Sequence, residues 1–259
     1  MPELPDLQVF SRNIDKKIAG KKVRSLHVPV TTKLKVSAQA LKKELVGHVV
    51  KKVFREGKEL HIAFKNGNVL GLHLMLHGDL HFFTGKNENK NTIIEIVFND
   101  DTGLALTDWQ KMATPTLNPQ PRESPDALSK DVDFRFLKGT FQKTRTSVKN
   151  VLMDQHLIRG IGNAYADEIL WDAGISPFSV SSKIPDDKIK ALAKSIRKIL
   201  VKAEKKILKA HPGIIHGEVR DFLSIHHPKK KQSPTGLTIH TKVVGSRKTY
   251  YTDEQKLYK

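Results

Sequence analysis

The hydrophobic period of this chain turns from mainly strand-like in its first part to mainly helical in its last, and that change limits the folds open to it. In the first part, "KELHIAF", "NVLGLHLML", "LHFFT" and "TIIEIVFN" alternate or run in β-branched and aromatic residues, the pattern of strands buried on one or both faces. Asn66-Gly67 and "NDDTG" supply hairpin signals, so the sheet is expected to be antiparallel. Ahead of the strands, Leu7, Phe10, Ile14 and Ile18 fall on one helical face, which puts a helix start within a residue or two of Pro5, a residue suited to a first turn. In the last part "SVKNVLMDQHL", "AYADEILWDAG" and "PDDKIKALAKSIRKILVKAEKKILKAH" carry apolar residues at helical spacing. Asp186 and Asp187 open the longest of these and lysines close it, as a helix dipole favours. Between the two parts, "TPTLNPQPRESPDALSKDV" is proline-rich and aperiodic and reads as a linker. At the end, "LTIHTKVV" and "KTYYTDE" look like hairpin strands around Gly245-Ser246. The expected organisation is a sheet domain over 1–113, a linker over 114–132, a helical domain over 133–232 and a hairpin over 233–259.

Charge narrows the partner. The 45 Lys and Arg against 27 Asp and Glu give a formal charge of +18, spread along the whole sequence, so charged faces on folded domains should meet a polyanion, nucleic acid first. No apolar run approaches the ~20 residues of a bilayer span, and a soluble intracellular protein is expected. The absence of cysteine excludes disulfides, thiolate zinc sites and cysteine nucleophiles. His73, His77 and His81 would share one face of an unbroken strand, but Gly78 is expected to interrupt it, so no metal role is assigned to them. His226, His227 and Lys229 to Lys231 read as a basic loop, solvated or tracking phosphates.

Two stretches could carry chemistry. In "LIRGIGNAYADEIL" two glycines make a tight turn between helices and Asn163 stands where a side chain caps the second. Such a turn is either an ordinary interhelical connection or, with its free N–H groups at a positive helix end, a phosphate site; the charge favours the second. Lys58 shares strand register with Leu60, Ile62 and Phe64, which directs it inward, unless it is a strand-entry lysine that snorkels to solvent.

"MPELPDL", "EGKELHIAF", "HLMLHGDL" and "VLMDQHLIRGIGNAYADEILWDAGISP" together resemble the successive hallmarks of the formamidopyrimidine-DNA glycosylase and endonuclease VIII family, over nearly the whole chain and in order. The resemblance implies an α+β fold: an N-terminal helix with an antiparallel β-sandwich, then a helical domain with a helix-two-turn-helix motif, and a β-hairpin finger. Many relatives hold that finger with four cysteines around zinc; here "SPTG" and "YTDEQ" stand in their place, as in zincless fingers. Activity implied by the resemblance is excision of damaged bases followed by strand cleavage. Once Met1 is removed, Pro2 becomes a secondary amine that can attack C1′ of the damaged nucleoside. Glu3 matches the general acid that protonates the sugar ring oxygen, Asp6 stands where the family has a glutamate one methylene longer, and Lys58 matches the strand lysine that assists at the sugar phosphate. Gly162 and Asn163 are the implied phosphate contacts of the helical turn, and Arg247 the implied finger arginine. Leu76 is the implied wedge that fills the gap left by a flipped base, with Lys111 and Met112 at the positions of an arginine and a phenylalanine. Lysine lacks arginine's planar bidentate contact, which implies loose selection of the opposite base.

The stretch "LSIHHPKKKQSPTG" is shorter than the loop that covers 8-oxoguanine in purine-specific relatives, so oxidised pyrimidines, ring-opened purines or hydantoins are the expected lesions. No metal and no soluble cofactor are expected. The partner is duplex DNA carrying damaged bases or abasic sites, the protein a monomer, cytoplasmic at a bacterial nucleoid or nuclear in a eukaryote. Two alternatives stay open: a non-catalytic relative that binds damaged DNA, and an abasic-site lyase that does not excise bases.

Overall fold

Helix α1 (Leu4–Ile18) begins where its sequence dictates. Glu3 is its N-cap and Pro5 lies in its first turn. Asp6 Oδ2 accepts the Glu3 N–H at 2.9 Å, the return arm of a capping box that satisfies an otherwise orphaned donor. Leu7, Phe10, Ile14 and Ile18, the face read from the sequence, are all buried in one core, each contributing about 2 kcal/mol of apolar burial. The computed structural model describes residues 1–244 and 247–259; the hairpin turn expected at Gly245-Ser246 lies outside the described residues.

Contacts divide the chain into two units, Met1–Pro121 with Ile207–Glu218, and Arg122–Lys206 with Val219–Lys259. In the first unit α1 is followed by β1 (Val23–His27), α2 (Ala38–Leu45), β2 (Val50–Glu56), β3 (Glu59–Phe64), β4 (Val69–His73), β5 (Asp79–Thr84), β6 (Thr92–Phe98), β7 (Thr102–Thr107) and β8 (Thr114–Leu117). These form two four-stranded antiparallel sheets, ordered β1-β6-β7-β5 and β2-β3-β4-β8. Val23, Ile96 and Leu104 of one sheet join Val53, Ile62 and Leu70 of the other in the same buried cluster as α1, which is the expected sandwich.

Strand β8 corrects the linker reading. Four residues of the proline-rich stretch pair with β4, Pro115 opposite Leu72. Pro115 is tolerated because β8 is an edge strand, where a missing donor breaks no interior ladder. The segment Ile207–Glu218, which the sequence reading kept with the helical domain, clusters with the first unit, and Asn13 Nδ2 donates to Ile214 O at 2.8 Å.

The second unit holds α3 (Phe134–Gln142), α4 (Val148–Met153), α5 (Asn163–Asp172), most of α6 (Asp186–Ala210) and the hairpin β9 (His240–Val244) with β10 (Arg247–Tyr251). Asp133 caps α3 through Phe136 N–H and Ser147 caps α4 through Asn150 N–H. Gln155 organises the two turns between α4 and α5. Its amide nitrogen donates to Met153 O and Ile161 O, and its oxygen accepts the N–H of Gly160 at 2.9 Å. Gly160 has φ +105°, a conformation that L side chains rarely adopt. Among the described residues no helix is long and apolar enough to cross a membrane.

Candidate active site

The start of α1 gathers the first set of predicted residues. Pro2 is buried and the Glu3 side chain, with its residue 5% exposed, sits at the positive end of the helix. That field and the exclusion of water make a carboxyl here sensitive to any charge that develops beside it. Asp6 is fully buried and holds the Glu3 backbone, so the shorter acid is fitted into the helix start itself. The Met1 ammonium pairs with Glu218, and wherever Met1 stays attached the Pro2 nitrogen is an amide rather than an amine.

Lys58 is not on a strand. Glu56 pairs with Glu59, leaving Gly57 and Lys58 as the two-residue turn of the β2–β3 hairpin, with Gly57 at φ +57°. The register argument failed because the strand starts one residue later than the apolar alternation implies. Arg55 fixes this turn against α1, its Nε donating to Gln8 Oε1 and its guanidinium to Gly57 O, both at 3.0 Å. One arginine thereby couples the turn that bears Lys58 to the helix that bears Glu3.

The gap-filling candidates lie on two further loops of the same unit. Leu76, between β4 and β5, is 59% exposed; Met112, between β7 and β8, is 38% exposed, and Lys111 is exposed beside it. His73 ends β4, His77 lies in the loop and His81 is in β5, so the three histidines do not share one strand. His81 Nε2 is 3.1 Å from Thr107 Oγ1 and its ring 5.4 Å from that of His216. Burial first, then His216, lowers its pKa from 6.5, with Asp79 acting in the opposite sense. A depressed imidazole pKa means that the unfolded chain takes up the proton first. The contribution to stability is complete above about pH 6.5 and lost as pH falls through the folded value. Acidification below about pH 6.5 should therefore destabilise the wild type more than His81→Gln, as read by denaturant titration at each pH.

In the second unit Gly162, not Asn163, is the N-cap of α5, and no side chain caps it. Asn163 is the first helical residue and its Nδ2 donates to Lys248 O at 2.9 Å. The cap reading was off by one because glycine supplies the extended cap conformation by itself. The same bond brings Asn163 next to β10, whose first residue is the exposed Arg247. Arg247 lines a small pocket with Ser147, Lys149 and Asn150.

The sequence reading missed what holds the hairpin there. Asp167 of α5 is fully buried, its Oδ1 2.7 Å from Lys149 Nζ. Its Oδ2 accepts the Tyr250 N–H at 2.9 Å and the His226 Nδ1–H at 2.7 Å. Lys149, also buried, donates to Thr249 Oγ1 at 2.8 Å. The neighbouring Glu168 accepts the N–H groups of Ser224, Ile225 and His226 at 2.7–2.9 Å. His226 is thus no part of a solvated loop. Two adjacent carboxylates on one helix bind the hairpin and the segment before it, and the only sequence trace is "DE" followed by two apolar residues.

The formamidopyrimidine-DNA glycosylase N-terminal domain model matches residues 1–114, and the formamidopyrimidine-DNA glycosylase H2TH domain model matches 124–210. A formamidopyrimidine-DNA glycosylase of Carboxydothermus hydrogenoformans is 32% identical over 202 residues, 77% of this chain and 76% of its own. The chain belongs to the formamidopyrimidine-DNA glycosylase family. Its members are DNA glycosylases and abasic-site lyases, and this one is an Fpg-like DNA glycosylase. The glycosylase of Lactiplantibacillus plantarum is 26% identical over 99% of this chain and 100% of its own length. Among solved structures, Lactococcus lactis Fpg bound non-covalently to DNA containing an abasic site superposes with a TM-score of 0.87 at 25% identity, covering 98% of this chain and all of that one. MutM in complex with DNA containing carbocyclic 8-oxoguanine gives 0.86 at 27% identity, covering 97% of this chain and 98% of that one. The family fold is therefore kept without a cysteine, and in this Fpg-like glycosylase the Asp167 and Glu168 carboxylates anchor the hairpin and the segment before it.

Proposed function

We propose that this glycosylase excises oxidised pyrimidines, ring-opened purines or hydantoins from duplex DNA, in preference to 8-oxoguanine, and then cleaves the abasic strand by β,δ-elimination. The observation that carries the chemistry is the buried Glu3 carboxyl beside Pro2 at the start of α1. With Met1 removed, the Pro2 nitrogen lone pair attacks C1′ while Glu3 gives its proton to the ring oxygen. The base departs with the glycosidic electron pair and takes up the proton lost from the proline N–H, the ring C–O bond breaks as the nitrogen lone pair forms the C=N bond, and the opened sugar is left as an iminium ion on Pro2. The positive nitrogen then accepts electrons as a C2′ proton is lost and the 3′ phosphate leaves; a second elimination releases the 5′ phosphate. In this reading Lys58 is the ammonium at the sugar phosphate, and Asn163 and Arg247 are contacts to the DNA backbone. The bound DNA of the relatives' structures and the charge of +18 support a duplex partner, and a general acid in this position is worth about 10²–10⁴ in rate.

The lesion preference rests on the short segment after Phe222, which Glu168 ties down through three N–H groups. A segment held in this way leaves little chain to close over a purine. The test is a panel of duplexes carrying 5-hydroxyuracil, dihydrouracil, 8-oxoguanine or an abasic site, treated with borohydride. Trapping at Pro2 with the oxidised pyrimidines is the expected result, and faster excision of 8-oxoguanine opposite cytosine would overturn the preference. Trapping with the abasic duplex alone would mean a lyase. The Met1–Glu218 pair favours a second reading wherever methionine is retained: a protein that binds damaged DNA without reacting.

A further inference from the structure

Two loops of the first unit expose side chains that water should exclude. Leu76 is 59% exposed on one, and Trp109 63% and Met112 38% on the other. The loops meet at His77, whose ring lies 5.0 Å from the indole of Trp109 at an interplanar angle of 45°. Both are built rather than slack. Gly78 N–H donates to Leu74 O at 2.8 Å, and a Cβ at position 78 would lie 2.2 Å from that oxygen, so only glycine permits the turn that presents Leu76. Asp108, buried at the base of the other loop, accepts the N–H groups of Gln110, Met112 and Ala113 at 2.7–2.9 Å. Met75 and Lys111 are held at φ 54° and 56°, conformations that persist only where the surroundings enforce them.

An exposed indole on a protein of charge +18 suits one ligand chemistry above others, a flat apolar face carried on a polyanion, which is a nucleobase on its backbone. We infer that Trp109, braced by His77, stacks on the unpaired base left on the partner strand opposite the lesion; this rests on the glycosylase reading above. Leu76, proposed to enter the gap, is chain neighbour to His77, so the indole stands beside the wedge. When the damaged nucleotide leaves the helix, the base facing the gap is the one without a partner. Stacking area rather than hydrogen-bond matching then sets the choice of opposite base, so a purine is held more firmly than a pyrimidine.

The test measures binding of the whole protein to duplexes with a tetrahydrofuran abasic analogue opposite adenine, cytosine or a second analogue. Wild type should bind the adenine duplex roughly ten-fold more tightly than the doubly abasic one, the size of one base–aromatic stack. Trp109→Ala should lose that same factor on the adenine duplex, lose nothing on the doubly abasic one, and keep its melting temperature because the ring is exposed. Trp109→Phe should fall between. Equal weakening on both duplexes would place the indole on a neighbouring base pair and overturn the inference, as would no weakening on either. If wild type binds no abasic duplex more tightly than an undamaged one, the glycosylase reading of the loops fails first and takes the inference with it.

Discussion

Protein that keeps Met1 should form no borohydride-trapped adduct with any lesion duplex, while the same chain without Met1 traps at Pro2. The amide nitrogen between Met1 and Pro2 has its lone pair delocalised into the carbonyl, so it can neither attack C1′ nor carry an iminium ion. Retention and removal can be compared directly by placing lysine between Met1 and Pro2, which blocks cleavage of the methionine, and by intact-mass measurement of each preparation. The loss should be in chemistry and not in folding. Met1 and Glu218 form a surface pair with about a third of each side chain exposed, and such a pair is worth only ~0–1 kcal/mol. Pro2→Gly supplies a primary amine in place of a secondary one. It should still trap, but eliminate more slowly, because its imine must gain a proton before it becomes an electron sink. Full glycosylase and lyase activity in protein shown to retain Met1 would move the nucleophile to another residue, with Lys58 the next amine to test.

The second large effect concerns Asp167. Replacing it with asparagine leaves Lys149 charged and buried without its counter-ion, and breaking a buried pair from one side costs about 3–5 kcal/mol. For a unit of this size that is a fall in Tm of roughly 10–20 °C. Binding of lesion duplexes should fall with it, since Tyr250 and Thr249, the residues released, follow Arg247 and Lys248 on β10. Adding Lys149→Met to Asp167→Asn removes the orphaned charge while the asparagine oxygen still accepts the Tyr250 N–H, so the double variant should recover most of the lost stability. A single Asp167→Asn variant with the wild-type Tm would show that the hairpin is held by other contacts. A double variant that is stable yet binds DNA poorly would separate the placement of Arg247 from the stability of the unit.

How much of this was legible beforehand differs by residue. The capping position of Glu3, the core face of α1 and the two-part architecture follow from local pattern, because helix ends and amphipathic faces depend on residues within a few positions of each other. Lys58 and Asn163 are expected site residues whose local structure the pattern placed one step wrong. A turn boundary and a cap are decided by a single residue, in both cases a glycine. Strand β8 was hidden by its prolines, which an edge strand accepts and a pattern search reads as linker.

The sequence by itself determined a sheet part and a helical part, a net charge of +18 suited to a polyanion, the impossibility of thiolate zinc, and a proline whose nitrogen becomes an amine if Met1 is removed. Only the tertiary structure decided what anchors the hairpin. Asp167 meets Tyr250 across 83 positions and Lys149 meets Thr249 across 100, and no periodicity connects residues so far apart. The same holds for His77 and Trp109, which come together because two strand pairs set their loops side by side. Local pattern is written in nearest-neighbour geometry, whereas buried polar networks and exposed aromatic platforms arise only when the fold brings distant side chains within a few ångströms.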